Sequence, residues 1–577
     1  PKDLSVNAFL EVDESLTGRR WIGPRDEEVR LAEALEQSTG LAPALCHVLA
    51  KRGVTPEDAS AFLAPKLRDL LPDPMGLRDM APAADRLIKA LAAREKIAIF
   101  ADYDVDGGAS AALLLDWFRQ QGQDATLYVP DRIDEGYGPN APAMSDLARV
   151  HDLIICVDCG TLSFEAIAAA KGADVVIIDH HLAGATLPEA LAVVNPIRQD
   201  ESGDLAHLCA AAVVFMVLVE ANRRLKAAGR QGPDLMQMLD LVALATVADV
   251  APLIGVNRAL VNQGLRIMAG RRRPGLAALA DVAGLETAPK AYHLGYVLGP
   301  RVNAGGRVGK ADLGARCLAA SDKDEALALA EKLDELNRER REIENAVRDA
   351  ALAQAEEHGL DGPLVWAAGE GWHPGVVGIV ASRLKENTNR PAIVIGLSDG
   401  EGKGSGRSVA GVDLGHAIQK LAQEGLLIKG GGHKMAAGLT VAEDKIPEAM
   451  GRLGELLAKE GSGAMGPRDH RIDALLMPGA ATVDMVEQIE TAGPFGQGAP
   501  APRFAFPDVT ILHTREVGSG HLKLTFGDGL GARLDAIAFG AMSEPLGQEI
   551  TNHGGRRFHL SGRLDINHWG GRQTVQL

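Results

Sequence analysis

The sequence has no apolar run long enough to cross a bilayer, no cysteine framework and no excess of basic charge. A membrane helix needs roughly 18 or more consecutive apolar residues. The longest candidate here, residues 208–219, is shorter and reads as a buried helix. No basic-then-apolar stretch of the kind that directs secretion opens the sequence. Five cysteines, an odd number scattered over 577 residues, argue against a disulfide scaffold and for a reducing cytoplasm. Cys156 and Cys159 form a Cys-x-x-Cys, but a second pair, which a structural zinc site would need, is missing. With 60 Lys and Arg against 77 Asp and Glu, the formal net charge is −17. That excludes a uniformly basic nucleic-acid-binding surface and leaves room for a local cationic channel.

What is present is a globular composition over a length that implies three or four domains. Residues 1–75 read as a helical and loop segment closed by Leu71-Pro-Asp-Pro74. Residues 76–320 alternate short Ile/Val-rich runs with Ala/Leu-rich stretches, the pattern of a parallel-sheet α/β domain. Residues 321–358 are charged and Ala-rich, with Leu329, Leu333, Leu336, Ile343 and Val347 at helical spacing; they predict one long connecting helix rather than a coiled-coil arm. A smaller α/β segment at 359–460 holds two Gly-rich clusters, KGSGRS at 403–408 and KGGGH at 429–433. After a Gly/Ser-rich break, residues 466–577 show short alternating runs and little helical pattern, which predicts a small β-barrel of the oligonucleotide-binding type.

Four acidic or histidine clusters stand just after apolar runs: ADYDVDG at 101–107, CVDCG at 156–160, DHH at 179–181 and ADV at 248–250. In open α/β sheets, ligands collect at the carboxyl ends of the strands. Carboxylates and imidazoles gathered there suit Mn²⁺ or Mg²⁺, and this number of ligands suggests two ions and phosphate-ester hydrolysis. The Asp102, Asp104, Asp106 triplet resembles the start of a calcium loop, but the position twelve along from Asp102 that should carry a bidentate Glu is Leu113. Cys156 and Cys159 read as core residues flanking a functional Asp158. Two adjacent histidines cannot both reach one atom from an extended backbone. His180 is therefore assigned to metal, His181 to the substrate phosphate, and Asp179 to orienting an imidazole. Asp249 closes an apolar stretch, 240–249, that could be helix or strand.

In order and local sequence these clusters resemble motifs I to IV of the DHH phosphoesterase superfamily. LGPRVNAGGRV at 298–308 resembles the family's Gly-Pro-Arg-x-Asn-Ala motif. GWHPGVVGI at 371–379, GSGRS at 404–408 and GGGHKMAAG at 430–438 resemble its DHHA1 domain. PFGQG at 494–498, with PRF at 502–504, resembles the C-terminal domain of the RecJ-type exonucleases. The resemblance implies a single-strand-specific 5′→3′ DNA exonuclease of DNA repair and recombination. It implies metal ligands at Asp104, Asp106, Asp158, His180 and Asp249, with Asp158 bridging two ions and Asp102 in the motif without a fixed role. The expected metal is Mn²⁺, with Mg²⁺ as the weaker substitute. Arg301, Asn303 and Arg307 are expected to hold phosphates or order the site, and His433 to donate to the scissile phosphate. Ser405 and Arg407, joined by Arg132, are expected to anchor a 5′-terminal phosphate; His373 is a further candidate or packs its turn, as does Trp372. Expected partners are single-stranded DNA, a helicase and a single-strand-binding protein, with no membrane. Guidance of the strand is expected from the terminal barrel, through residues such as Phe504, Arg515, Lys523, Arg556, Arg557, Trp569 and Arg572, and no module beyond that barrel is assumed. Three rivals follow from the same residues: a phosphodiesterase of short RNA oligonucleotides or cyclic dinucleotides, a manganese pyrophosphatase, and an inactive DNA-binding scaffold.

Overall fold

A computed structural model describes residues 8–132, 134–462, 468–569 and 572–577. By internal contacts the chain divides into two units. One comprises residues 72–251 and 263–465; the other comprises 1–71, 252–262 and 466–577.

The first unit holds the expected α/β architecture. Strands Ile97–Ala101, Leu153–Val157 and Asp174–Ile178 form the middle of a five-stranded, wholly parallel sheet, with Thr126–Tyr128 at one edge and Ala192–Val194 at the other. The two central strands are buried along their whole length, which is why they read as unbroken Ile, Val and Ala runs rather than alternating ones. Helix Val105–Gln120 follows the first central strand, and helix Ala210–Ala227 packs on it. The latter is the buried helix expected from the apolar run at 208–219. The stretch 240–249, ambiguous in the sequence, is helix Leu239–Ala248, ending at Asp249.

The connecting helix is one continuous element, Lys323–His358. It starts where the acidic residues predict: Asp322 caps it, accepting from the Asp324 and Glu325 amides at 3.0 and 2.9 Å. It leads to a mixed five-stranded sheet in the order Lys429–His433, Ala436–Ala442, Glu401–Arg407, Ala392–Ser398, Val365–Glu370, in which only the last two strands pair in parallel. Both Gly-rich clusters lie in strands of this sheet.

In the second unit, a long strand, Phe504–Val517, pairs with His521–Gly527 on one side and Arg557–Gly562 on the other, and register shifts along it bend the sheet into a curled half-barrel. Two features depart from expectation. Helices Val483–Glu490 and Pro545–Thr551 interrupt a region read as nearly free of helix. The N-terminal segment, read as helix and loop, also supplies a strand, Arg19–Ile22, which pairs in parallel with Arg468–Arg471. Its helices join the half-barrel in one apolar core through Leu45, Leu49, Phe504, Phe506 and Phe526. Pairing between segments about 450 residues apart leaves no local mark in either one.

Candidate metal centre

Every central strand of the parallel sheet runs directly into a ligand-bearing residue: Ala101 into Asp102, Val157 into Asp158, Ile178 into Asp179 and His180. The edge strand ending at Val194 runs into the buried Asn195. Asp104 caps helix Val105–Gln120, accepting from the Asp106 and Gly107 amides at 2.8 and 3.2 Å. This cap accounts for the acidic triplet without any calcium-loop geometry. Asp106 is buried, and both its oxygens are held from the N-terminus of helix Ala210–Ala227, by the Ala210 amide at 2.7 Å and the Ala211 amide at 2.8 Å. A helix N-terminus is a favourable place for a carboxylate. Asp158 adopts the left-handed conformation at φ 61°, which Asp tolerates better than most residues.

These elements converge. His180 Nε2 lies 3.2 Å from Asp158 Oδ1 and 3.6 Å from Asp106 Oδ2, and its Nδ1 lies 3.8 Å from Asp249 Oδ2. Three overlapping sets, Asp106/His180/Asp249, Asp158/His180/His181 and Asp102/Asp104/Asp158, each bring their ligand atoms within 4.8 Å of one another. All the expected metal ligands thus lie together, with Asp158 and His180 each in two of the three sets. Asp102 is part of the cluster as well.

The donor set fits divalent cations on a direct observation: Asp158 Oδ1 and Asp102 Oδ1 are buried and accept no hydrogen bond. A buried carboxylate oxygen without a partner is costly unless a proton or a cation meets it. Burial, and then repulsion from Asp106, Asp104 and Asp102, pushes the Asp158 carboxyl well above its ordinary range. Burial and Asp104 do the same to Asp102. Burial and Asp106 carry Asp249 to about 8.

His181 is held from behind. Its Nδ1 lies 2.8 Å from Asp179 Oδ1, and Asp179 Oδ2 accepts from Thr161 Oγ1 at 2.6 Å and from the Thr161 amide at 3.1 Å. Asn195 Nδ2 closes the network by donating to Thr161 Oγ1 and to the His181 carbonyl. Burial opposes the charge on this pair. The hydrogen bond to His181 and its charge nevertheless hold the Asp179 carboxyl below its ordinary range, and Asp179 in turn raises His181. Nε2 of His181, like Nδ1, lies 3.2 Å from the Tyr137 hydroxyl. Tyr137, not singled out from the sequence, donates from its hydroxyl to the Asp158 carbonyl at 2.9 Å and stands edge-on to the His181 ring. Its only mark in the sequence is an aromatic between two glycines in PDRIDEGYG at 130–138.

Beside the carboxylates lies a cationic flank. The Arg132 guanidinium sits over the Tyr103 ring at 5.3 Å. Burial and the charge of Arg132 lower the pKa values of Arg307, Arg407 and His373, Arg307 to about 10, so the three guanidiniums crowd one another and the His373 ring is held toward its neutral form. Arg407 donates to Ser405 Oγ at 3.0 Å, and Arg307 to the Gly375 carbonyl at 2.9 Å. His373 caps helix Pro374–Thr388, accepting from the Gly375 amide. Gly378 of that helix is required by closeness: a Cβ there would lie 3.0 Å from Ser405 Oγ and 3.1 Å from Arg407 Nη2.

Arg301 and His433 stand apart from the cluster, and Asn303 orders it. Arg301 does not face the carboxylates; it is buried and donates to Asp334 of the long helix at 2.9 Å and to the Val297 carbonyl, so its fork is occupied by protein. Asn303 accepts from the Val105 amide at 3.0 Å, which fixes the loop carrying Asp104 and Asp106; of its two expected roles it fulfils the ordering one. His433 is exposed at the end of its strand, with no hydrogen bond or ion pair to the cluster among the described residues. Cys156 and Cys159 are buried and not disulfide-bonded, as are the other three cysteines. Among the barrel candidates, Phe504 is core, Lys523 pairs with Asp535, and Arg556 with Glu549. Arg515 and Arg572 stand exposed, Arg557 pairs with Asp508, and the side chain of Trp569 lies outside the described residues.

Comparison with known proteins matches three families in register with these elements: the DHH family N-terminal domain over residues 96–246, the DHHA1 domain over 361–459 and the RecJ OB domain over 472–577. The single-stranded-DNA-specific exonuclease RecJ of Dickeya dadantii is 38% identical, covering 93% of this chain and 95% of its own. The crystal structure of Thermus thermophilus RecJ in complex with Mn²⁺ superposes with a TM-score of 0.80 at 29% identity, over 97% of this chain and 79% of that one. The structure of the same protein with Mg²⁺ gives 0.74 at 27% identity, over 97% and 78%. Ordered motifs, matched domains and full-length similarity agree: the chain belongs to the RecJ family of DHH phosphoesterases.

Proposed function

We propose that this chain is a metal-dependent exonuclease that removes 5′-mononucleotides from single-stranded DNA. The observation that carries the reading is the convergence of Asp106, Asp158, His180 and Asp249 around carboxylate oxygens that no protein donor satisfies. Asp102, Asp104, Asp106, Asp158, His180 and Asp249 would hold two divalent ions, Mn²⁺ or more weakly Mg²⁺, which when bound activate water and steady the charge on a scissile phosphate. The chain's own groups do the rest. Ser405, Arg407 and Arg132, at the N-terminus of helix Pro374–Thr388, would take the 5′-terminal phosphate, with Arg307 and His373 beside them. Fixing that end places the next phosphodiester at the carboxylates, a physical cause for 5′ polarity. His181, oriented by Asp179, would present Nε2 to the phosphate oxygens. His433 enters only as a contact made with DNA bound. The half-barrel would guide the strand through cationic and aromatic contacts. The setting proposed is cytoplasmic DNA repair and recombination, with a helicase and a single-strand-binding protein as partners. Among the described residues no helix is long and apolar enough to cross a membrane.

The test uses single strands of about 40 nucleotides, labelled at either end, and a blunt duplex, each with Mn²⁺ and with Asp158→Asn protein beside the parent. Immediate release of a labelled mononucleotide from the 5′ label, gradual shortening from the 3′ label, an inert duplex and an inactive variant are expected. Intact long strands with cleavage of two- to five-nucleotide RNAs would instead assign the chain to the short-oligonucleotide phosphodiesterases.

A further inference from the structure

Residues 291–308 form one unbroken helical run whose middle, Leu294–Leu298, is a π-turn. Pro300, which has no amide hydrogen to give, follows that turn, and π-turns of this kind are frequent at functional sites. The C-terminal part of the run is already in use: Asn303 holds the Asp104–Asp106 loop and Arg307 stands in the cationic flank. The run packs through glycines on the helix that ends at Asp249. A Cβ at Gly295 would lie 3.4 Å from Val247 Cγ1, and one at Gly299 3.3 Å from the Ala248 Cβ.

At the other end, adjacent to that glycine face, stand Tyr292 and Tyr296. They are 63% and 70% exposed, in a chain with only five tyrosines. Four residues apart on the helix, their rings stack on each other at 5.1 Å and 24°, and His293 meets Tyr292 edge-on. Packing requires none of this exposed area. Large aromatic faces left in water and already stacked offer a surface that any nucleobase can extend, because every base has a π-face. The continuity with the metal centre singles out the occupant: the helix run begins at these rings, touches the Asp249 helix and ends in the phosphate flank.

We propose that Tyr292 and Tyr296 form a stacking platform for bases of the single strand downstream of the cleaved bond; this rests on the exonuclease reading above. Tyr296 and Arg307 are eleven residues apart, about 16 Å along a helix. At roughly 3.4 Å per stacked nucleotide the platform meets the strand four or five nucleotides from its anchored end. It therefore grips long substrates and is out of reach of the shortest.

The test is length-resolved kinetics of the full chain with Mn²⁺ on a 5′-phosphorylated trinucleotide and a 20-nucleotide strand. The Tyr292→Ala/Tyr296→Ala protein should raise KM for the long strand at least about five-fold with kcat unchanged, leave kcat/KM for the trinucleotide at its parent value, and be restored by the double Phe variant. In Asp158→Asn protein, 2-aminopurine at the fifth nucleotide should be quenched on binding, and brightened when both tyrosines are Ala. Equal losses on both lengths, no loss on either, or a double Leu variant as good as the Phe one would overturn the platform. Failure of the parent to cleave either strand would overturn the exonuclease reading instead, while the 2-aminopurine signal still judges the platform.

Discussion

At the scale of the residue, the metal centre is a set of groups that oppose one another until cations arrive. Asp102, Asp158 and Asp249 have carboxyl pKa values raised by burial and mutual repulsion. A group whose folded pKa is raised binds its proton more tightly in the folded state. Its contribution to stability is therefore full below the unfolded value near 4 and is lost as pH rises through the folded value. Metal-free protein should accordingly lose thermal stability between about pH 5 and pH 8, where Asp249 titrates. Mn²⁺ should remove that loss, with its stabilising increment larger at pH 8 than at pH 6, since protons and cations compete for the same oxygens. Melting curves in chelator and in Mn²⁺ across this range check it; a metal-free melting temperature that is flat or rising with pH would refute it. Asp158→Asn, which relieves the repulsion, should melt higher than the parent in chelator and gain little from Mn²⁺. Residue chemistry was the part most legible in the sequence, because carboxylates and imidazoles after apolar runs have few other uses. The partners were not legible. Nothing in LGPRVNAGGRV tells that Arg301 will find Asp334 and that Asn303 will cap a backbone amide, since both partners come from distant elements.

At the scale of the element, strands and helices followed their periods where burial is simple. The buried central strands and the Asp322-capped helix are read directly from Ile/Val runs and from an acidic first turn. Asp322→Ala should remove two hydrogen bonds from the start of that helix and cost about 1 kcal/mol locally. Hydrogen exchange at the amides of residues 324 and 325 should speed roughly five-fold, with cleavage of short strands retained; unchanged exchange would show that the cap is dispensable. The stretch 240–249 remained ambiguous because a run apolar on all sides has no period to display, and the helix is in fact buried all round. The elements missed altogether, Arg19–Ile22, Val483–Glu490 and Pro545–Thr551, are short, and the first exists only through a partner far along the chain.

At the scale of the whole molecule, a net charge of −17 meets a polyanionic substrate. Attraction has to be local, and the crowded guanidiniums of Arg132, Arg307 and Arg407 are the groups proposed to supply it. Each phosphate neutralised on a single strand contributes about −0.7 to the slope of log K against log salt. Arg407→Ala, measured in Asp158→Asn protein, should make that slope shallower by about that amount, whereas Lys420→Ala, on an exposed helix face, should leave it unchanged. Equal changes for both would mean that attraction is spread over the surface. The five cysteines have a different use. All are buried, and burial lifts the Cys156, Cys159 and Cys209 thiols well above their ordinary range and Cys317 to about 12. Thiol reagents act on exposed thiolates, so the native chain offers a maleimide dye almost nothing to react with. One cysteine introduced on an exposed helix would be labelled alone, and fluorescence of single molecules could then follow each nucleotide as it leaves, with no background sulfur to remove first.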